Sequence, residues 1–361
     1  PPPPPPPPPP LFQAEDGIRD SVNGLVGSEM CIRDRDLVGL LVYSESKAGR
    51  DAGEIARRDP TGVIATRSVD DIMATEADVV IHAPRIQPPY SYHNKDICRL
   101  LASGKNVISI NGHSFPQHWG PAYLEDFQAA CAKAGTTLFG TGLNPGFLTE
   151  KITTVATGIC TRIDNIYVGE IFDCSTVPDA NYVFHVLGFG ADPAKLDLND
   201  ASWAPTELMT GMYAEVVAQL VHRLGFQLDQ VESDHIVQPA SEDLQVAAGV
   251  LKKGTVAVTN WRWHGIVDGK RLVTLSIRWI MEDTWLENKN YNHWEVKIRG
   301  LPGIDISMNL VEPENTGFKT RAEQYAVAGS VINSIPAVCA AAAGVMQIPV
   351  FAPYRLRFTE T

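Results

Sequence analysis

Apolar positions along this chain fall into two rhythms. Over residues 36–149, short apolar runs of strand length alternate with helical patterns. The runs are "LVGLLVY" (37–43), "GVIAT" (62–66), "ADVVIHAP" (77–84), "NVISIN" (106–111) and "TTLFGTG" (136–142). Between them, residues 51–58 read as a helix, and "SVDDIM" opens on a Ser68…Asp71 capping pattern. Two longer helical stretches stop at Gly104 and Gly135, where glycine accepts a left-handed C-cap. Strands apolar on both faces, alternating with helices, predict a parallel sheet covered on both sides.

Beyond residue 149 the rhythm changes. A helix over "EKITTVATGIC" precedes the strand "NIYVGEIFDCS", and a long amphipathic helix starts at Pro205 and ends at Gly225. "TVAVTNWRWHGIV" and "RLVTLSIRWIM" flank Asp268-Gly269, a hairpin turn signal, and "HWEVKI" and "IDISMNL" alternate in the same way. The second region therefore reads as α+β with a mostly antiparallel sheet. The tail predicts a small-residue helix with a Thr320…Glu323 capping box, broken or restarted at Pro336 and packed back on the first domain. The expected division is a tail at 1–35, a doubly wound α/β domain at 36–149, an α+β domain at 150–318, and the returning helix at 319–361.

The chain has 361 residues, 44% hydrophobic and 20% charged, with a net charge of −12. That balance lacks the basic footprint that nucleic acid or an anionic membrane surface requires. No apolar run reaches membrane-spanning length, and the six cysteines show no C-x-x-C spacing, so a reducing, cytoplasmic setting is expected. Neither the histidines nor the cysteines show metal-ligand spacing, and no G-x-S-x-G elbow is present.

A doubly wound domain that binds a dinucleotide normally opens with a strand, a G-x-G-x-x-G loop and a helix. Here "LVGLLVY" stands where the second strand should be. Residues 1–35 hold Gly17, Gly24 and Gly27, but no G-x-G and no apolar strand before a glycine loop. The first β-α unit is thus expected to be missing, and the chain to bind cofactor poorly. A competing loop, "LFGTGLNPGFLTE", reads formally as G-x-G-x-x-x-G, but Pro145 removes an N–H that a phosphate cradle needs. It fits better as a loop at the carboxyl end of the last parallel strand, where ligands of open sheets bind.

Together, "LVGLLVYSESKAGRDAGEIA", "TGVIAT", "ADVVIHAPR", "GKNVISIN", "GTGLNPGFLTEKI" and "VGEIFDCST" resemble the dihydrodipicolinate reductase-like proteins, including 2,4-diaminopentanoate dehydrogenase and the native amine dehydrogenases. The resemblance runs from about Asp36 to the C-terminus. It implies a Rossmann-like domain binding a nicotinamide cofactor, an α+β domain carrying part of the substrate site, and a homodimer or higher homo-oligomer. It also implies reversible hydride transfer at a carbon bearing nitrogen; a keto carbon of a small molecule is the wider expectation. The double-histidine and "DAPSGT" motifs of the true dihydrodipicolinate reductases are absent. The glutamate that the amine dehydrogenases place after the strand matching "NVISIN" is replaced here by Asn111-Gly112-His113-Ser114. Separately, "AEDGIRDSVNGLVGSEMCIRDR" resembles translated sequencing-adapter sequence, which makes residues 1–35 an artefactual or disordered tail.

Candidate residues follow from strand ends. Ser44, Ser46, Lys47 and Arg50 follow the second strand; hydroxyls and cations there suit a 2′-phosphate, so NADP is the expected cofactor and NAD the alternative. An ordinary polar loop fits them equally. Ala83, Pro84, Arg85 and Asn111 would line the cofactor crevice, although Arg85 also fits a surface loop. His113 is the candidate proton donor, since imidazole titrates near neutrality. Asn144 is a candidate to orient a carbonyl or carboxamide, and equally suits a turn before proline. Thr141, Gly142, Pro145 and Gly146 are assigned to the substrate. The reading is an NAD(P)H-dependent oxidoreductase, against a lyase or isomerase on the same scaffold and a non-catalytic nucleotide sensor, which the missing glutamate favours.

Overall fold

The computed structural model describes residues 11–13, 35–196, 204–282, 293–311, 314 and 320–356. The chain divides into two compact units, 1–147 with 311–348, and 148–310 with 349–361.

The first unit is built on one parallel sheet. Its strands are β1 (Leu11–Gln13), β2 (Leu40–Leu41), β3 (Val79–His82), β4 (Asn106–Ser109), β5 (Thr137–Gly140) and, last among the described residues, β14 (Gly344–Met346). They lie in the order β14-β5-β4-β3-β1-β2, every pair parallel. Two expectations are corrected here. The sequence reading places no strand before residue 36, yet Phe12 of β1 stands opposite Leu40 on one side and Ile81 on the other. Three residues are too few to show a periodicity, which is why the strand is silent in the sequence. The expected absence of a glycine loop and first helix falls on residues 14–34, outside the described residues. "GVIAT" is not a full strand: Thr66 bridges Leu41, and Ile64, exposed at the edge, bridges Asp51.

The strands are apolar on both faces because both are covered. Val80, Val107 and Leu138 stand in register and pack with Ile72 of α2 (Val69–Ala74), Leu100 and Leu101 of α3 (Asn94–Ala102), and Phe127 and Cys131 of α4 (Pro121–Ala134). Their neighbours Ile81, Ile108 and Phe139 are also in register and point to the opposite face. Helix α6 (Ala322–Cys339) packs against β3, β4 and β5. Ser68 caps α2 as its spacing predicts, accepting the Asp71 N–H at 3.1 Å, and Gly135 ends α4 in the left-handed region at φ 73°. The cap of α6 is one residue later than expected. Arg321 is the N-cap and its N–H donates to Gln324 Oε1 at 3.0 Å, while Thr320 is buried beside Arg58. The helix also continues through Pro336, whose carbonyl accepts the Ala340 N–H.

The second unit carries a six-stranded sheet in the order β13-β12-β6-β11-β10-β7. These are β6 (Arg162–Asp173), β7 (Gln230–Pro239), β10 (Val256–Val267), β11 (Lys270–Ile280), β12 (His293–Leu301) and β13 (Ile304–Asn309). A separate short hairpin joins β8 (Leu244–Val246) and β9 (Gly249–Leu251). All pairs in the large sheet are antiparallel except β6 with β11. The predicted turn forms, with Asp268 at φ 49° and Gly269 at φ 67°. Helix α5 (Ala204–Arg223) packs on β7, β10 and β11, where the Trp263 ring lies tilted against Tyr213, with centroids 4.8 Å apart, and donates Nε1–H to Thr210 Oγ1. On the same sheet face, Trp294 donates its Nε1–H to Glu170 at 2.9 Å.

Candidate functional site

Parallel strands place all their carboxyl ends along one edge of the first unit. The strand order reverses between β1 and β3, and in open sheets the crevice beyond such a reversal is where ligands bind. The loops that follow β2, β3, β4 and β5 along this edge hold all the sequence-derived candidates.

The loop after β2 is a compact, backbone-bonded turn. Ser46 donates its N–H to Ser44 Oγ at 3.1 Å, and the two hydroxyls are 2.7 Å apart. Gly49 N–H bonds the carbonyl of Ala65, and Ala65 N–H returns to that of Arg50. Lys47 and Arg50 lie on this turn, and Arg67, which the sequence reading passed over, pairs with Glu45 at 3.1 Å.

Asp51 anchors the far end of the turn. Its carboxylate accepts N–H groups from Gly53 (2.7 Å), Thr61 (3.0 Å) and Gly62 (2.7 Å), capping α1 (Ala52–Ile55). The Thr61 N–H foremost, then those of Gly62, Gly53 and Glu54, lower the Asp51 pKa against the opposing pull of burial. A carboxylate with a depressed folded pKa stabilises the fold above the unfolded value, and that contribution is lost as pH falls through the folded value. Asp51→Ala is therefore expected to lower the urea midpoint at pH 7 and to differ progressively less from the parent towards pH 3. A pH-independent difference would show that packing, not charge, makes the contribution.

The loops after β3 and β4 are bonded to one another. Asn111 Nδ2–H donates to the Pro84 carbonyl at 2.7 Å, and His93 Nε2–H donates to that of Arg85 at 3.0 Å. Asn111 N–H donates to Ser109 Oγ, whose hydroxyl faces His113 Nδ1 at 3.0 Å. His113 Nε2 lies 3.1 Å from Asn94 Oδ1, which only accepts, so the imidazole carries its proton on Nε2 and receives the Ser109 hydroxyl at Nδ1. Tyr90 stacks on the ring and its hydroxyl accepts the His113 N–H, which fixes a backbone at φ 65°.

His113 is 2% exposed, and burial, then the nearby His93, pushes its pKa down to about 3. At pH 7 it is neutral, with both ring nitrogens committed. Burial holds His82 and His93 low as well, and the Nδ1 atoms of both have no hydrogen-bond partner among the described residues.

The loop after β5 approaches the β4 loop backbone to backbone. Thr141 N–H donates to the Ser109 carbonyl at 2.9 Å, and a Cβ on Gly140 would stand 2.3 Å from the Gly112 oxygen. Thr141 Oγ1 meets Ser330 Oγ of α6 at 2.9 Å. A Cβ on Gly142 would meet the Pro145 oxygen at 2.7 Å, and Gly146, at φ 120°, presses on Thr141. The glycines of "GTGLNPG" thus answer to the loop's own fold. Asn144 is half-buried among them.

Candidates on the β3, β4 and β5 loops are therefore brought together, while Ser44, Ser46, Lys47 and Arg50 lie beyond β1. The sequence reading missed Ser109, Tyr90, Asn94 and His93. Only Asp51, in the cap-like "DAGE", carried a local signal.

The same two-unit plan recurs in known dehydrogenases. A structure of an amine dehydrogenase from Mycobacterium smegmatis superposes with a TM-score of 0.74 over 97% of both chains, at 18% identity. The chain has that fold. A myo-inositol 2-dehydrogenase from Lactobacillus plantarum matches at a TM-score of 0.51, with 12% identity over 94% of this chain and 92% of that one. In sequence, an amine dehydrogenase of Streptomyces virginiae is 26% identical over 246 residues, and the match spans 66% of the length of each. No protein-family model matches the chain. Among the described residues no helix is long and apolar enough to cross a membrane, and no group of histidines, cysteines and carboxylates is arranged to hold a metal ion.

Proposed function

We propose that the chain is an NAD(P)H-dependent oxidoreductase acting at an amine-bearing, imine or keto carbon of a small molecule. The observation that carries this reading is the parallel sheet with its strand reversal at β1 and β3, supported by the likeness to amine dehydrogenases. The donor set fits the adenosine half of the cofactor: paired serine hydroxyls and cations after β2 suit a phosphorylated ribose, which favours NADP over NAD. Ala83, Pro84 and Arg85, steadied by Asn111 and His93, would hold the other half. When bound, a reduced nicotinamide supplies the hydride. Residues 1–35 contain no G-x-G-x-x-G, so the pyrophosphate is held weakly and saturation needs high nucleotide concentration.

In this reading His113 positions the β4 loop and is not the proton donor, because its ring nitrogens are committed to Ser109 and Asn94 and burial holds the imidazole neutral. Asn144 orients the reacting group, beside Thr141, Gly142, Pro145 and Gly146 on the substrate side. A second reading, nucleotide binding without turnover, is favoured by the β4 loop itself, where Asn111 and His113 stand in place of a carboxylate and are tied to protein partners. Incubation with NADPH, ammonia and a panel of small ketones separates the two. Loss of the reduced-nicotinamide absorbance is expected; saturable binding with no such loss on any ketone would favour the sensor.

A further inference from the structure

We propose that Arg67 determines specificity for a phosphorylated adenosine ribose and is kept in reserve by Glu45. The inference rests on the dinucleotide reading above and adds a residue and a device to it. Thr66 N–H bonds the Leu40 carbonyl and Val42 N–H bonds that of Thr66, each at 2.9 Å. These two bonds extend the sheet by one step and deliver residue 67 to the carboxyl end of β2. Residues at this strand end meet the adenosine ribose in doubly wound domains.

There Arg67 Nη1 holds Glu45 Oε1 at 3.1 Å, with the two side chains 49% and 90% exposed. A pair this open to water is weakly held and exchanges partners readily. While the pair lasts, one Glu45 oxygen is occupied, so the carboxylate is a poorer acceptor for the hydroxyls of an unmodified ribose. A 2′-phosphate changes the balance, because it carries more charge than a carboxylate and offers the guanidinium a bidentate face. Ser44 and Ser46, with hydroxyls 2.7 Å apart, and the cations Lys47 and Arg50 on the same turn add donors and positive charge for it. A 2′-hydroxyl cannot displace Glu45 in this way. The exchange of Arg67 from Glu45 to phosphate therefore sets the preference between the two nucleotides.

The test is titration of the full chain and of Arg67→Ala and Glu45→Ala with adenosine 2′,5′-bisphosphate and AMP, repeated with NADPH and NADH. The bisphosphate reports on the ribose end without relying on a pyrophosphate cradle. Arg67→Ala should weaken the bisphosphate and NADPH by about 10-fold or more and leave AMP and NADH unchanged or tighter, since Glu45 is then released to accept the ribose hydroxyls. Glu45→Ala should leave the phosphorylated ligands unchanged or tighter, and weaken NADH. A phosphorylated-to-plain ratio unchanged within about twofold in Arg67→Ala would overturn the assignment while leaving the dinucleotide reading intact. Failure of the unsubstituted chain to bind any of the four ligands would instead overturn that reading, and this inference with it.

Discussion

Gly140→Ala is expected to lower the stability of the first unit by about 2–3 kcal/mol and to weaken nucleotide binding beyond what that loss explains. The added Cβ would stand 2.3 Å from the Gly112 oxygen, 2.6 Å from the Ser114 nitrogen and 2.8 Å from the His113 carbonyl carbon. All three are backbone atoms, so no change of rotamer relieves the clash and the whole β4 loop must shift. That loop carries Asn111, which holds the β3 loop through the Pro84 carbonyl, so the displacement passes to the crevice. Gly135→Ala is the control. It is strained at φ 73° but meets nothing within 4 Å, so it should cost about 1 kcal/mol and leave nucleotide binding alone. Urea denaturation and NADPH titration read both effects, and equal behaviour of the two variants would remove the special role of Gly140.

His113→Ala is expected to cost about 3 kcal/mol, from the cavity beside Phe127 and Tyr90 and from separating Ser109 and Asn94 from their ring partners. The sign of its pH dependence follows from the folded pKa of about 3, below the unfolded value of about 6.5. Between those values the unfolded chain binds a proton that the folded chain refuses. The histidine's contribution is therefore complete above pH 6.5 and is lost as pH falls towards 3. The parent should lose stability over this interval more steeply than His113→Ala. A proton-donating His113 predicts a different pattern: turnover down at least about 100-fold, with the denaturation curve and its pH dependence unchanged.

Much of the fold was legible because its strands are long or doubly buried. The runs "VVIH" and "NVIS" become β3 and β4, and the Asp268-Gly269 turn joins β10 to β11 as its chemistry predicts. The failures have local causes. β1 is three residues long, too short to carry a period, and "GVIAT" sits at an edge where Ile64 faces solvent, so its apolar run does not report a buried strand. The α6 cap moved because a glutamine four residues beyond Thr320 closes the first turn as well as the glutamate next to it would. At the site, strand ends pointed to loops that lie along one edge of the parallel sheet, but not to what each side chain does there. A histidine at a strand end reads as an acid–base group until Ser109, Asn94 and Tyr90, from 4 to 23 residues away, are seen to enclose it. Those partners meet only through the sheet, which no local spacing encodes.

The most direct test of the proposed activity uses NADPH deuterated on the transferable position of C4, at saturating concentration, with ammonia and small ketones. Mass spectrometry of the amine or alcohol formed is expected to find one deuterium, on the carbon that bore the carbonyl, in a product absent without the protein. NADPH that binds but keeps its deuterium with every ketone would contradict the oxidoreductase reading.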